Sequence, residues 1–404
     1  MVHDIRAILL GGGIGSRLEP LTGLDPKLDR PKPNVPLEKR RLIDFAVSNC
    51  LHSRGIADIQ ILAQAHPNKL SGHIQETYLS HEVGRRIRVQ VAPMIHGHEY
   101  FAGTADAVRM SNYLLDDGHE STLVLAGDHL YLMKYDDFVD HHLTTKADVT
   151  VMVQAVPAVE AGDLGVFAVN SKGAVEEFIE KPTRQNIPVP LIPGTDQALA
   201  SLGIYVFKTK VLQKLLTDTD GNDFGHDVIP LVLSDQATNL KLEVFRHEGY
   251  WRDVGTIGSL WQANMDIIGP APKLNLYDPT HQVFHRSRHL PSPKFINGCS
   301  LRDAIVSDGS IVAGRVESSV LSTRVRVGCD ANLHECVVLD KTMIGANTRL
   351  HRVFADKEVQ IGPGIILGQN PQKDVETWPE QLVLKDGILV VRRGAVIGDK
   401  PNFG

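Results

Sequence analysis

Two patterns of apolar positions divide this chain. Through residue 268, short apolar runs alternate with stretches of helical periodicity. Residues 5–10 are almost continuously apolar, as expected of a strand covered on both sheet faces. Leu42, Phe45, Ala46, Asn49 and Cys50 fall at helical spacing and predict a helix over 41–53. The alternation continues with strands at 59–63, 87–92, 122–126 and 149–156. Between them lie helices at 67–79, 103–115, with Thr104 as its N-cap, and 136–145. Such alternation predicts an α/β domain built on an open, mostly parallel sheet. From 157 to 200 the pattern loosens into a hairpin (165–169 with 174–179) and a proline-rich loop. It then recovers with strands at 200–207 and 240–246 and helices at 224–233 and 256–268. Residues 269–297 are rich in proline, carry little periodicity and read as a linker.

Past 298 the period becomes six. Ile305 and Ile311 are six apart, as are Leu321, Val327, Leu333 and Leu339, and again Val338, Ile344 and Leu350. Gly314, Gly328, Gly345 and Gly362 fall beside these positions. A repeat of this length builds a parallel β-helix over 298–404, each unit forming one side of a triangular coil with its apolar residue inward. The offset at Val338/Leu339 makes the repeat imperfect.

Composition narrows the class. At 404 residues the chain is too long for one ordinary core. With 42% hydrophobic and 22% charged residues it reads as a globular protein. A net charge of −6 without a long basic run argues against a nucleic-acid partner. No run approaches the ~20 apolar residues of a membrane span, and an apolar strand follows Met1 too soon for a signal peptide, so the cytoplasm is expected. Four cysteines at irregular spacing suggest neither disulfides nor a zinc motif. His281, His285 and His289 recur every fourth residue, but the surrounding prolines disfavour a helix, and they are expected to be plain linker residues.

The chemistry centres on Leu10-Gly11-Gly12-Gly13-Ile14-Gly15-Ser16-Arg17, where an apolar strand runs into four glycines and a basic residue. Backbone N–H groups freed by glycine approach an anion closely, and Arg17 adds a permanently charged fork. The stretch lacks the Gly-Lys-Ser/Thr of a Walker loop and the last glycine of the dinucleotide fingerprint. Further polar islands follow. Lys32 lies in a proline-stiffened loop. Gly103-Thr104-Ala105-Asp106-Ala107 opens a helix whose N-terminus favours anions or polar ligand edges. Asp128 ends an apolar strand, Glu180 adjoins Lys181, and Asp253 lies within Tyr250-Trp251-Arg252-Asp253-Val254-Gly255-Thr256. Together they supply a basic phosphate cradle and two aspartates suited to Mg²⁺.

These islands, with Arg30-Pro31-Lys32-Pro33, Arg41-Leu42-Ile43-Asp44, Leu125-Ala126-Gly127-Asp128-His129, Phe178-Ile179-Glu180-Lys181-Pro182 and the run 201–207, resemble the ADP-glucose pyrophosphorylase (glucose-1-phosphate adenylyltransferase) family over almost the whole chain. The resemblance implies a Rossmann-like nucleotidyltransferase domain over 1–268 and a left-handed parallel β-helix over 298–404. It implies a reaction of ATP with glucose 1-phosphate that gives ADP-glucose and pyrophosphate, with Mg²⁺, in a tetrameric enzyme of glycogen or starch synthesis. By resemblance Arg17 and Lys32 hold the ATP phosphates, and Asp128 and Asp253 hold the metal. Leu10, Gly11, Gly12, Gly13 and Gly15 line the nucleotide, with the adenine near Gln64, Phe101, Gly103, Thr104, Ala105 and Asp106. Gly165, Glu180, Lys181, Ser201 and Asp253 form the sugar-phosphate side. Phosphorylated effectors bind between the two domains of family members, and Arg302, Arg315, Arg324, Arg326, Arg392 and Arg393 are candidate cations here. Two departures bear on that site: Asp29 replaces a family lysine, and the preceding loop, 23–28, is longer. Three alternatives stay open: a sugar-1-phosphate transferase using UTP or GTP, a non-catalytic regulatory subunit, and a hexapeptide acyltransferase with His334 or His351 as its catalytic base.

Overall fold

A computed structural model describes residues 4–13, 15–23, 30–64, 66–78, 82–91, 101–116, 118–171, 174–234, 240–296 and 298–403. Asp29 and residues 24–28 lie outside the described residues. The first strand, Ile5–Gly11, is parallel to both neighbours, Ser121–Ala126 and Ile56–Ala63, and Ile87–Val91 extends this parallel half. Alternate residues serve opposite faces. Ala7 and Leu9 pack with Ile43, Ala46 and Val47 of the helix Leu42–His52. Ile8 packs with Ala105 and Val108 of the helix Thr104–Met110.

Beyond Ser121–Ala126 the sheet reverses. The long strand Gln197–Lys208 runs antiparallel to it, to Val149–Pro157 and to Gly165–Val169. Gly165–Val169 and Val175–Glu180 form the expected hairpin, and Leu242–Arg246 lies parallel to Val149–Pro157. A separate two-stranded ladder pairs Trp251–Asp253 with His129–Tyr131.

Two local expectations need correction. The helix expected at 103–115 ends at Met110 and continues as a 3-10 turn, Asn112–Leu115; its N-cap is Gly103, not Thr104. The carbonyl of Asn222 accepts from Ala105 N at 2.8 Å and Asp106 N at 3.2 Å. A neighbouring loop therefore satisfies the first turn, and the Thr104 hydroxyl is free to donate to Asp223. The helix expected at 224–233 opens with a π-helical turn, Phe224–Val228, before Ile229–Leu233.

From Lys294–Phe295 onward, three parallel sheets form the faces of a β-helix. Leu301, Val316, Leu333, Leu350 and Leu367 stack in one column, and Val312, Val327, Ile344, Ile361 and Ile397 in another. In the first coil the inward residue is Val312, and Ile311, expected inside, points out. The third face is apolar on both sides. Leu321, Val338, Ala355 and Val391 fill the coil, while Val320, Val337, Phe354 and Val390 share one cluster with Leu18, Leu37, Leu260 and Trp261 of the N-terminal domain.

Polar contacts fasten this apolar joint. Arg30 grips the buried Asp356 through two bonds of 2.8 and 3.2 Å. The Trp261 indole donates to the Glu335 carbonyl at 2.9 Å, and Gly258 N donates to Asp386 at 2.9 Å. Residues 269–293 contain no helix or strand, yet they are packed down. Leu274 and Val283 are buried, Phe284 N donates to Ser48 Oγ, and His281 Nε2 meets Asn49 Oδ1 at 2.8 Å. His281, His285 and His289 join no group of metal-binding side chains among the described residues.

Candidate functional site

Parallel strands end on one side of the sheet, so their carboxyl-terminal residues meet there. Leu10 and Gly11 close the first strand, Gln64 follows the second, and Gly127-Asp128 follows Ser121–Ala126. Gly15 turns the chain with φ +76°, a left-handed conformation that side chains resist. It also lies against Lys32, which donates its backbone N–H to the Gly13 carbonyl at 3.2 Å. Pro31 and Pro33 stiffen the short turn Lys32–Asn34, so the phosphate loop and the lysine loop form one unit.

The two-stranded ladder brings Asp253 opposite His129, beside Asp128. Lys32 Nζ stands 2.9 Å from Asp128 Oδ2 and 3.4 Å from Asp253 Oδ1. His129 Nε2 lies 3.8 and 3.7 Å from the same two residues. Burial disfavours charge on Lys32, but the two carboxylates outweigh it and raise its pKa above the usual lysine value. Burial likewise works against ionising Asp128, yet Lys32 and His129 hold its carboxyl below the ordinary range. Arg17 is exposed at the rim; its guanidinium and the Asp253 carboxylate both border Gly255.

The opposite wall carries Glu180 and Lys181. Lys181 Nζ contacts Glu180 Oε1 at 2.5 Å. Glu180 is seated between two glycines: a Cβ would stand 2.7 Å from its Oε2 at Gly165 and 2.6 Å at Gly225. Ser201 Oγ accepts from Gly203 N where the long strand shifts register. These walls enclose a cleft of about 390 Å³. Leu10, Arg17, Lys32, Thr104, Asp128, Gly165, Glu180, Lys181, Ser201 and Asp253 all line it.

The remaining candidates stand around that cleft. Gly12 abuts the Gln64 side chain, and Gln64 Nε2 donates to the Phe101 carbonyl at 3.2 Å, so these three meet at one edge. Gly11, Gly13, Gly15, Gly103 and Ala105 shape the backbone without lining the cleft. Asp106 is turned inward, accepting from Ala102 N at 2.8 Å and Arg109 at 3.1 Å. Sequence reasoning assigned no role to His129, Tyr205, Asp223, Gly225 or Trp251, all of which line the cleft. Asp223 had a signal: it caps the turn after it, accepting from Gly225 N and His226 N.

Two adjoining hollows of about 200 and 480 Å³ lie where residues 286–288 meet the coils, and the smaller one is also lined by Pro36 and residues 38–41 of the N-terminal domain. Arg288 and Lys357 contact Asp340 there at 3.3 and 2.9 Å, and Arg41, Arg286, Arg324, Lys341 and Arg393 line the same hollows along with Glu38, Asp308 and Glu358. Of the cations singled out from the sequence, Arg324 and Arg393 belong to this cluster. Arg302 instead pairs with Glu317, and Arg326 lies over the Phe403 ring.

Residues 6–269 match the nucleotidyl transferase family model, and residues 291–391 match the GlmU-like C-terminal hexapeptide model. A glucose-1-phosphate adenylyltransferase of Rhodopirellula baltica is 36% identical, covering 98% of this chain and 92% of its own. Enzymes of the same description from Thiobacillus denitrificans and Paramagnetospirillum magneticum are each 38% identical, over 94% and 92% of this chain and 89% and 90% of their own. The chain belongs to the glucose-1-phosphate adenylyltransferase family. The cleft thus lies in the nucleotidyl transferase domain of a family member whose C-terminal coils are a left-handed β-helix. Among the described residues no helix is long and apolar enough to cross a membrane.

Proposed function

We infer that this chain transfers the adenylyl group of ATP to glucose 1-phosphate, releasing pyrophosphate and forming ADP-glucose for glycogen or starch synthesis. One observation carries the reading beyond family membership. A single cleft has Arg17, Lys32 and a pair of aspartates on one wall and Glu180 with Lys181 on the other. The attacking sugar-phosphate oxygen is already ionised near neutral pH, so no general base is required. Catalysis then rests on in-line positioning and on neutralising charge at the phosphates. Arg17 and Lys32 supply that charge to ATP. Lys181 binds the phosphate of glucose 1-phosphate, while the Glu180 carboxylate accepts from sugar hydroxyls and the Ser201 hydroxyl accepts from or donates to them. Gln64, Phe101 and the turn at Gly103 form the adenine edge.

Asp128 and Asp253 would hold Mg²⁺. Their carboxylates converge on one point, now filled by the Lys32 ammonium, and oxygen donors so arranged suit a hard cation. When bound, the ion neutralises phosphate oxygens. The cationic hollows between the domains suit phosphorylated effectors. A cytoplasmic homotetramer is the expected assembly.

Pyrophosphate release from glucose 1-phosphate with ATP, UTP, GTP or dTTP tests the assignment. ATP should exceed UTP at least tenfold in kcat/KM, or about 1.4 kcal/mol. Equal rates with UTP would assign another nucleotide, and no release with any of the four would make the chain a regulatory subunit.

A further inference from the structure

We propose that His334, Glu335 and His351 on the β-helix bind one divalent transition-metal ion, Zn²⁺ in preference to Mg²⁺. The coil repeat brings the two histidines together. His334 and His351 are register partners on adjacent strands, Asn332–His334 and Arg349–His351. Their rings are stacked 5.3 Å apart and only 6° from parallel. Imidazole lone pairs lie in the ring plane, so both rings must tilt out of this stack to converge on one ion, and their half-buried setting leaves them room to do so. Glu335 follows directly, with a left-handed backbone (φ 53°), and its carboxylate lies beside the pair. One ligand atom from each of the three residues lies within 4.8 Å of the others.

A tetrahedral zinc site with bonds of about 2.0–2.1 Å needs ligand atoms roughly 3.3 Å apart. Small side-chain rotations close that difference, because all three side chains are only half-buried. Three protein ligands leave a fourth position for water; Glu317 lies 3.9 Å from His334 Nε2 at the rim, but the same oxygen is paired with Arg302. The competitor for Glu335 is Arg352, whose Nη1 is 3.9 Å from Glu335 Oε2. An incoming ion costs Arg352 little, since its guanidinium also lies 4.6 Å over the Trp261 ring. Nitrogen donors select zinc, nickel or copper over magnesium. This separates the site from Asp128 and Asp253, which offer only oxygen.

The backbone around the ligands is already fixed. Arg352 N donates to the His334 carbonyl at 3.1 Å, and the Glu335 carbonyl holds the Trp261 indole of the N-terminal domain. A bound ion would therefore brace the joint between the domains.

The test is calorimetric titration of the metal-free, untagged full-length chain with ZnCl₂ in buffer containing millimolar Mg²⁺. One equivalent should bind per chain and raise Tm by about 5 °C at hundredfold excess over Kd. His351→Gln and Glu335→Gln should each weaken binding at least tenfold while leaving Tm in chelator unchanged. Co²⁺ should give the visible spectrum of a tetrahedral site in the wild-type chain, a readout that needs no variant. Wild-type binding no tighter than that of His351→Gln, or an octahedral Co²⁺ spectrum, overturns the proposal.

Discussion

Glu180 shows how little slack a single residue of this cleft has. Its carboxylate fits between Gly165 and Gly225, and a methyl group at Gly225 would come within 2.6 Å of Oε2. Gly225→Ala should therefore displace the Glu180 carboxylate and, if Glu180 binds the sugar as proposed, raise KM for glucose 1-phosphate about tenfold, with KM for ATP nearly unchanged. Initial rates with each substrate varied in turn decide it; an equal rise in both KM values would remove Glu180 from the sugar side. Asp128→Asn keeps the shape but removes a charge that Lys32 needs and that the proposed Mg²⁺ would need, and on that proposal kcat should fall by a factor on the order of 10³ at saturating Mg²⁺. Near-normal turnover would exclude Asp128 as a metal ligand. The sequence marked such residues because carboxylates and lysines at strand ends gain nothing from packing. It did not show where each carboxylate turns. Asp44, in the motif Arg41-Leu42-Ile43-Asp44, looks equally functional, yet it is fully buried with His73 at 2.6 Å and Tyr78 at 2.9 Å. Burial would raise its pKa, but the His73 contact lowers it, and the group is structural. Gly225 was illegible because its purpose is to leave room for a residue 45 positions earlier in the chain.

At the scale of elements, the six-residue period was readable because each inward residue of a coil packs against its own column. The apparent slip at Val338/Leu339 has a physical cause. The strands Val320–Leu321, Val337–Val338 and Ile388–Val391 are buried on both sides, so consecutive residues are apolar and one period overlays another. Phe354 belongs to the outward column of this face and is fully buried against the N-terminal domain. Phe354→Ala should cost about 3–5 kcal/mol, seen as a lower denaturant midpoint, because neither domain can close over the gap. A loss under 1 kcal/mol would mean that the interface collapses easily. The start of the helix Thr104–Met110 was less legible for the opposite reason: its cap is a carbonyl from residue 222, and no local pattern announces a distant backbone group.

Across the whole molecule, acid should loosen the fold before its carboxylates titrate. Burial pushes His142 and His281 down to about 4, helped by Lys208 beside the first and His52 beside the second. Burial also lowers His247 and His285. In the unfolded chain these rings accept protons near pH 6.5, while in the folded chain His142 and His281 do so only near pH 4. Between those values protons favour the unfolded chain, and stability falls by about 1.4 kcal/mol per pH unit for each ring. Above pH 6.5 they give no slope, and below about 4 these two add no further loss. Unfolding midpoints measured from pH 7.5 to 4 should decline over that window, and His142→Gln should flatten the decline; a level profile contradicts it. The joint between the domains has a different consequence. Arg30 is clamped to Asp356 in the coils, Lys32 stands in the cleft, and a single proline in an extended conformation (φ −69°, ψ 156°) separates them. The two cations thus sit on either side of Pro31, one held by the coils and the other in the cleft. Asp356 also accepts from the backbone of Lys357, which lines the cationic hollow between the domains. A displacement of Asp356 would act two residues from Lys32, and if Lys32 binds phosphates as proposed, a change of about 1.4 kcal/mol in that contact would be a tenfold change in rate. The joint thus ties the position of a cleft residue to coils that, among the described residues, supply none to the cleft's lining.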